Sequence, residues 1–242
     1  MCVPGFYKTS YRALSLGEVA RMRGVLRAPL AYLITRFKTP TAAAWMPQMW
    51  ADLECREQEL SERFFQAISP HREALKRLGF TELGFKKLKR VLNPNHRDDG
   101  GINYLDKTRC HFGQLIYNRS HVPPPVSTER EQLVIAFTAV FERGTLSFTN
   151  NTKTPLGSVP HHDVVRTPSG DGADIYPRFI KHLTHYNELP RCFPDLQSLQ
   201  SWFDANATDV FEYRVRRGLF IRMSDDEVAA ALRKLPPPLA NR

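Results

Sequence analysis

Two histidine-bearing stretches are the first residues of this 242-residue chain whose types could do chemistry. His161-His162-Asp163 precedes a segment that carries His182 and His185. Positions three apart on a helix share a face, so His182 and His185 offer two imidazoles to one side. A His or Asp from 161–163 would complete a site for zinc or another divalent metal, and with it a metal-dependent, hydrolase-like enzyme. The stretch has no HExxH arrangement, and nothing in the sequence draws its two halves together. The favoured reading is solvated surface histidines.

Cys110-His111 is the second group. Neighbours on a strand point to opposite faces, so these two do not form a nucleophile–base pair. Cys110 would need His96 or His121 instead, and a strand cysteine is usually a small core residue. Asp98-Asp99, Asp171 and Asp174 lie in turn-forming stretches, and Asp225-Asp226-Glu227 suits the start of a helix. No residue is assigned a catalytic role.

Basic residues make the stronger case. The formal net charge is +9, and it is unevenly placed. Residues 1–47 hold seven Lys/Arg against one acid, and residues 71–97 hold eight against two. The stretch 48–70 is acidic, and 98–242 is balanced at seventeen of each sign. A local excess of this kind makes a field that attracts polyanions. Arg21, Arg23 and Arg27 in the first block, with Lys86, Lys87, Lys89, Arg90 and Arg97 in the second, are the expected contacts to an anionic partner. A membrane surface is placed slightly ahead of nucleic acid, and a protein partner stays open. The nucleic-acid reading would use phosphate contacts from Lys86 to Arg97, with Phe80 and Phe85 as stacking aromatics. It has no helix-turn-helix, zinc-finger, RNP or KH signature behind it. The membrane reading uses 15–38, a cationic stretch with an apolar stripe and Phe37 and Tyr32 near it. That stripe has two rival uses, packing on the main domain or serving as a targeting segment.

The elements that must carry these residues follow from periodicity. Val19, Met22, Leu26, Leu30, Leu33, Ile34 and Phe37 recur at helical spacing, broken at Pro29, which predicts two short helices or one kinked one. A second amphipathic helix is expected over 46–68. A short helix starts at Ser69-Pro70 and stops at Gly79. Phe80–Phe85 reads as a strand, 93–101 as a loop, and Tyr104–Tyr117 as a strand weakened by Gly113. Leu133–Phe141 alternates strictly, and Glu142-Arg143-Gly144 turns it into Leu146–Thr149 as a hairpin. A short strand at Val164-Val165 is followed by helices over 172–189, 195–215 and 224–235.

Strands in the middle and helices at both ends predict an α+β fold with an antiparallel sheet of about four strands packed against helices, preceded by a basic amphipathic helical extension. The expected division is a basic extension over 1–47, an α+β domain over 48–235 and a Pro-rich tail over 236–242. Nucleotide-fold glycine motifs are absent. The four cysteines, Cys2, Cys55, Cys110 and Cys192, are widely spaced singles, read as reduced thiols of a cytoplasmic protein. No apolar run approaches membrane-spanning length, and no signal-peptide pattern is seen. A peripheral position at a membrane is compatible with this. Function is left as non-enzymatic binding or scaffolding.

Overall fold

A computed structural model describes residues 3–37, 41–122, 127–150, 159–167 and 172–235; the side chains of 21–23, 41–43 and 122 are outside the description. The chain opens with strand β1 (Gly5–Thr9), helices α1 (Leu16–Arg23) and α2 (Ala28–Phe37), and strand β2 (Thr41–Met46). A single turn, α3 (Trp50–Leu53), leads through β3 (Glu54–Cys55) to the long helix α4 (Glu62–Arg77). Seven strands follow: β4 (Phe80–Lys86), β5 (Val91–Leu92), β6 (His96–Asp106), β7 (His111–Val122), β8 (Thr128–Phe141), β9 (Gly144–Thr149) and β10 (His162–Arg166). The chain continues through α5 (Gly172–Leu183), α6 (Leu196–Arg216), β11 (Phe220–Arg222) and α7 (Asp225–Leu232).

The architecture is mixed α+β with two sheets, not one. A seven-stranded sheet runs β10-β9-β8-β7-β6-β4-β3, and a four-stranded sheet runs β11-β1-β2-β5. Every pairing is antiparallel except β9 with β10. In β8 the alternation does what period-two patterning requires. Ile135 and Phe137 turn to one face and meet Phe64 and Ile68 of α4 and Phe179 of α5 in the main core. Val140 turns to the other face, where Trp50, Phe112 and Leu199 at the start of α6 form a second, smaller core.

Several expectations fail for identifiable reasons. The 93–101 stretch is largely strand: β6 begins at His96 and pairs with β7 from Ser120 onward. Gly100 is there because a Cβ at that position would lie 2.6 Å from Phe64 Cδ2 and 2.9 Å from Leu60 Cδ2. Asp99 needs no turn to hold it, since its Oδ1 accepts from Leu88 N at 2.7 Å and its Oδ2 lies 2.7 Å from His96 Nε2. Helix α4 does not restart at Pro70 but runs through it from Ser61, whose Oγ accepts from Phe64 N. The expected helix over 46–68 survives only in α3 and the first turns of α4. Expectations held for the β8–β9 hairpin, with Phe141 opposite Gly144, and for helices over 195–215 and 224–235, seen as α6 and α7 behind caps at Asp195 and Ser224. The Pro-rich tail at 236–242 lies outside the described residues.

The N-terminal segment does more than extend helices from a domain. Its strands β1 and β2 form the centre of the four-stranded sheet, and β11 from the far end of the chain pairs with β1. Helices α1 and α2 make up the connection between these two central strands.

Candidate functional site

Helix α1 is fixed first. Ser15 caps it in a reciprocal box with Glu18, whose carboxylate accepts from Ser15 N at 2.8 Å. The same carboxylate accepts from Arg217 Nη1 at 2.6 Å and from Nη2 at 2.8 Å. Glu18 is buried, and the bidentate guanidinium, together with the capping bonds, outweighs desolvation and lowers its pKa to about 2. Val19 on the next turn packs with Leu14 and Leu219. One ion pair and one small cluster therefore pin α1 to the end of α6.

Gly24 breaks the helix in a left-handed conformation, at φ 83°, which glycine adopts without a Cβ penalty. The chain then turns through Val25–Arg27 into α2, with Pro29 in its first turn, where a missing N–H costs nothing. The expected break therefore falls at Gly24, five residues ahead of Pro29. The orientation of α2 is the notable feature. Ala28 is buried and Ala31 and Tyr32 pack on the body, while the larger apolar residues one half-turn away face outward. Leu30, Leu33, Ile34 and Phe37 are 58–81% exposed, and Leu26 just before the helix is 99% exposed. At about 100° per residue, these positions form a single stripe. Arg27 and Arg36, both exposed, stand on its two sides. Arg36 donates to Arg12 O at 2.7 Å and stacks over Tyr32, which fixes one edge of the stripe. Of the other expected contacts in this block, Arg21 and Arg23 lie on α1 with side chains outside the description.

The second basic block divides. Lys86 is turned inward, 7% exposed, with Nζ 3.8 Å from the Trp50 ring centroid, 3.2 Å from Trp50 O and 3.5 Å from Glu54 Oε1. Burial pulls its pKa down to about 8 against the pull of Glu54. This corrects its expected place on an outer binding face: a strand residue at this register must point into the second core. Phe80 is likewise buried, and Phe85 packs edge-on against Phe65, so neither is a stacking platform. Lys87 donates to Glu59 O, and Arg97 Nη1 to Pro94 O and His96 O. Lys89 and Arg90 are exposed, Arg90 lying over the Trp45 ring at 4.7 Å. Strand β5, just after Arg90, pairs with β2, which follows α2 in the chain. The four-stranded sheet thus carries both cationic stretches.

The histidine set is split by strand alternation. His162 Nδ1 lies 3.0 Å from Thr145 Oγ1, and burial lowers its pKa. Asp163, next in the strand, takes a hydrogen bond from Tyr186 Oη at 3.0 Å. His161 is exposed with its carbonyl bound to Thr145 N, His182 packs its ring on Phe148, and His185 is exposed. Among the described residues, no three of His, Cys, Asp and Glu converge as a metal-binding group. The thiol reading is also corrected. Cys110 precedes β7 in a turn and is joined to Cys192, 82 residues on, by a disulfide. Only the spatial return of the α5–α6 connector to the β6–β7 turn reveals this pairing. Beside it His111 Nδ1 lies 3.0 Å from Tyr176 Oη and 3.3 Å from the buried carboxylate of Asp106.

No family model, curated protein or solved structure matches this chain. No helix among the described residues is long and apolar enough to cross a membrane.

Proposed function

We propose that the protein is a non-enzymatic, peripheral binder of anionic membrane surfaces, with α2 lying in the interface. One observation carries this reading: α2 turns Ala28, Ala31 and Tyr32 to the body and Leu30, Leu33, Ile34 and Phe37 to solvent, between two exposed arginines. Interfacial helices combine an apolar face with cationic flanks in this way. Full burial of a Leu or Phe side chain contributes about 1.5–3 kcal/mol. Each basic residue near anionic lipid adds about 1 kcal/mol. Five exposed apolar side chains with Arg27 and Arg36 are enough for reversible attachment. Nucleic acid has less support, since Lys86, Phe80 and Phe85 are committed to the interior.

Co-sedimentation of the full chain with vesicles of phosphatidylserine and phosphatidylcholine, against phosphatidylcholine alone, tests the proposal. Binding is expected for the anionic vesicles only. Paired replacement Leu30→Ser/Phe37→Ser is expected to weaken it at least about thirtyfold, from about 2 kcal/mol or more of lost insertion. Wild-type protein left in the supernatant would end the proposal. So would a concentration-dependent dimer broken by the same pair, because the stripe would then cover a second copy.

A further inference from the structure

Arg72 and Arg217 are partly buried, and each meets a carboxylate with two of its nitrogens. Arg214, three residues before Arg217 on α6, has no such partner. It is half-buried, and among the described residues no hydrogen bond or ion pair reaches any of its nitrogens. Only Nε of the three is enclosed, so the Nη1 and Nη2 edge is the open one. Burial lowers the Arg214 pKa, and no carboxylate raises it again. The ring of Phe220 and the last turn of α6 offset part of the cost of this cation. Neither gives its five N–H donors an acceptor. A charge withdrawn from water and left unpaired is costly, and an anion would relieve that cost.

Arg214 also lines a pocket of about 210 Å³ between the end of β2, α6 and β11. Met46, Phe203, Val210, Phe211 and Phe220 give it apolar walls, and Gln48 is the one other polar residue in its lining. The Arg214 Cζ lies 5.6 Å from the centre of the Phe220 ring, which sets the guanidinium itself against a wall of this pocket. An apolar cavity of about 150 Å³ accepts benzene, so this one has room for a single ring or a hydrocarbon of similar size. A planar guanidinium matches the two oxygens of a carboxylate. The lining holds one cation, so a single negative charge neutralises it, whereas the second charge of a phosphate would stay unpaired among apolar walls. We propose that this pocket binds a small monocarboxylate with an apolar body, its two oxygens on Nη1 and Nη2 of Arg214. The inference is independent of the membrane reading, which uses α2, and either can fail alone.

Calorimetric titration of the full chain with benzoate, phenylacetate and hexanoate tests it, with phenylacetamide as the neutral counterpart and orthophosphate as the bare anion. Saturable binding of at least one carboxylate is expected, with phenylacetate about tenfold or more tighter than its amide, the effect of one charge-assisted hydrogen bond or more. Arg214→Met keeps the apolar stem and removes the unpaired charge. It should erase the preference for acid over amide and leave the thermal midpoint of the ligand-free protein no lower than the native one. Ala207→Phe, from a half-buried position on α6, fills the pocket without touching the guanidinium and must abolish binding. The proposal is overturned if no carboxylate saturates by about 5 mM, or if phenylacetamide or orthophosphate binds as well. Binding unchanged in either variant overturns it. So does a midpoint lowered by more than about 4 °C in Arg214→Met, or its failure to fold, because the guanidinium would then serve the fold.

Discussion

Replacing Arg217 with Met puts the anchoring of the N-terminal helices to a direct test. In the native protein the Glu18 carboxylate, 3% exposed as a residue, takes both Arg217 nitrogens and both Ser15 donors. Its pKa falls from 4.5 to about 2. At about 1.4 kcal/mol per pKa unit, ionised Glu18 contributes about 3 kcal/mol to the folded state. Because the folded pKa is the depressed one, this contribution is complete above about pH 4.5 and is lost as pH falls through about 2. Arg217→Met leaves a buried carboxylate with its capping bonds but no counter-ion, so the expected cost at pH 7 is about 3–5 kcal/mol. Glu18→Gln removes the charge as well, so the double replacement should cost less than the two single ones together. Denaturant unfolding at pH 7 and pH 2.5 measures both terms, and hydrogen exchange over 16–37 should show α1 and α2 opening ahead of the rest. The reasoning is refuted if Arg217→Met costs less than about 1 kcal/mol at pH 7, or if its deficit is the same at pH 2.5.

Three further outcomes follow from particular contacts. Reduction of the denatured protein should release two further thiols, those of Cys110 and Cys192, beside that of Cys55; no gain on reduction would remove the Cys110–Cys192 bond. With the partners 82 positions apart, Cys192→Ser should lower stability by about 4.5 kcal/mol on a chain-entropy basis, read from the denaturant midpoint. Gly100→Ala places a methyl 2.6 Å from Phe64 and should cost about 1–3 kcal/mol in thermal unfolding; an unchanged midpoint would mean that α4 is not seated tightly on β6.

What the sequence disclosed, and what it hid, divides along the range of the forces involved. The β8–β9 hairpin and the Ser224 cap of α7 depend on neighbours within a few residues, so local chemistry is enough to read them. Asp98-Asp99-Gly100-Gly101 carries equally strong turn signals, yet it lies in a strand. Twelve-residue β7 and the rings of α4 supply partners that no local rule contains. Lys86 belongs to a cationic run in the sequence, but strand register alone decides that it meets Trp50 while Lys89, beyond the strand, meets solvent. The hydrogen bond between Asn103 and Gln114 is hidden for the same reason: they are ordinary polar residues eleven apart until a four-residue turn sets them face to face.

The α2 stripe shows where periodicity stops. An apolar repeat at helical spacing states that a helix has two unlike sides, and it is silent on which side meets the body. The contacts decide that here. Ala28 is buried, and Ala31 and Tyr32 pack beside Leu14, Val19 and Leu219, while Leu30, Leu33, Ile34 and Phe37 are left outside. The more apolar side is therefore the one left out, contrary to the usual preference for burying the greater apolar area. A surface of this kind marks an interaction site. The flanking Arg27 and Arg36 point to an anionic cover, and Glu18 with Arg217 supplies the rigid base from which it is presented. Loosening that base should consequently weaken vesicle binding even with every residue of the stripe intact.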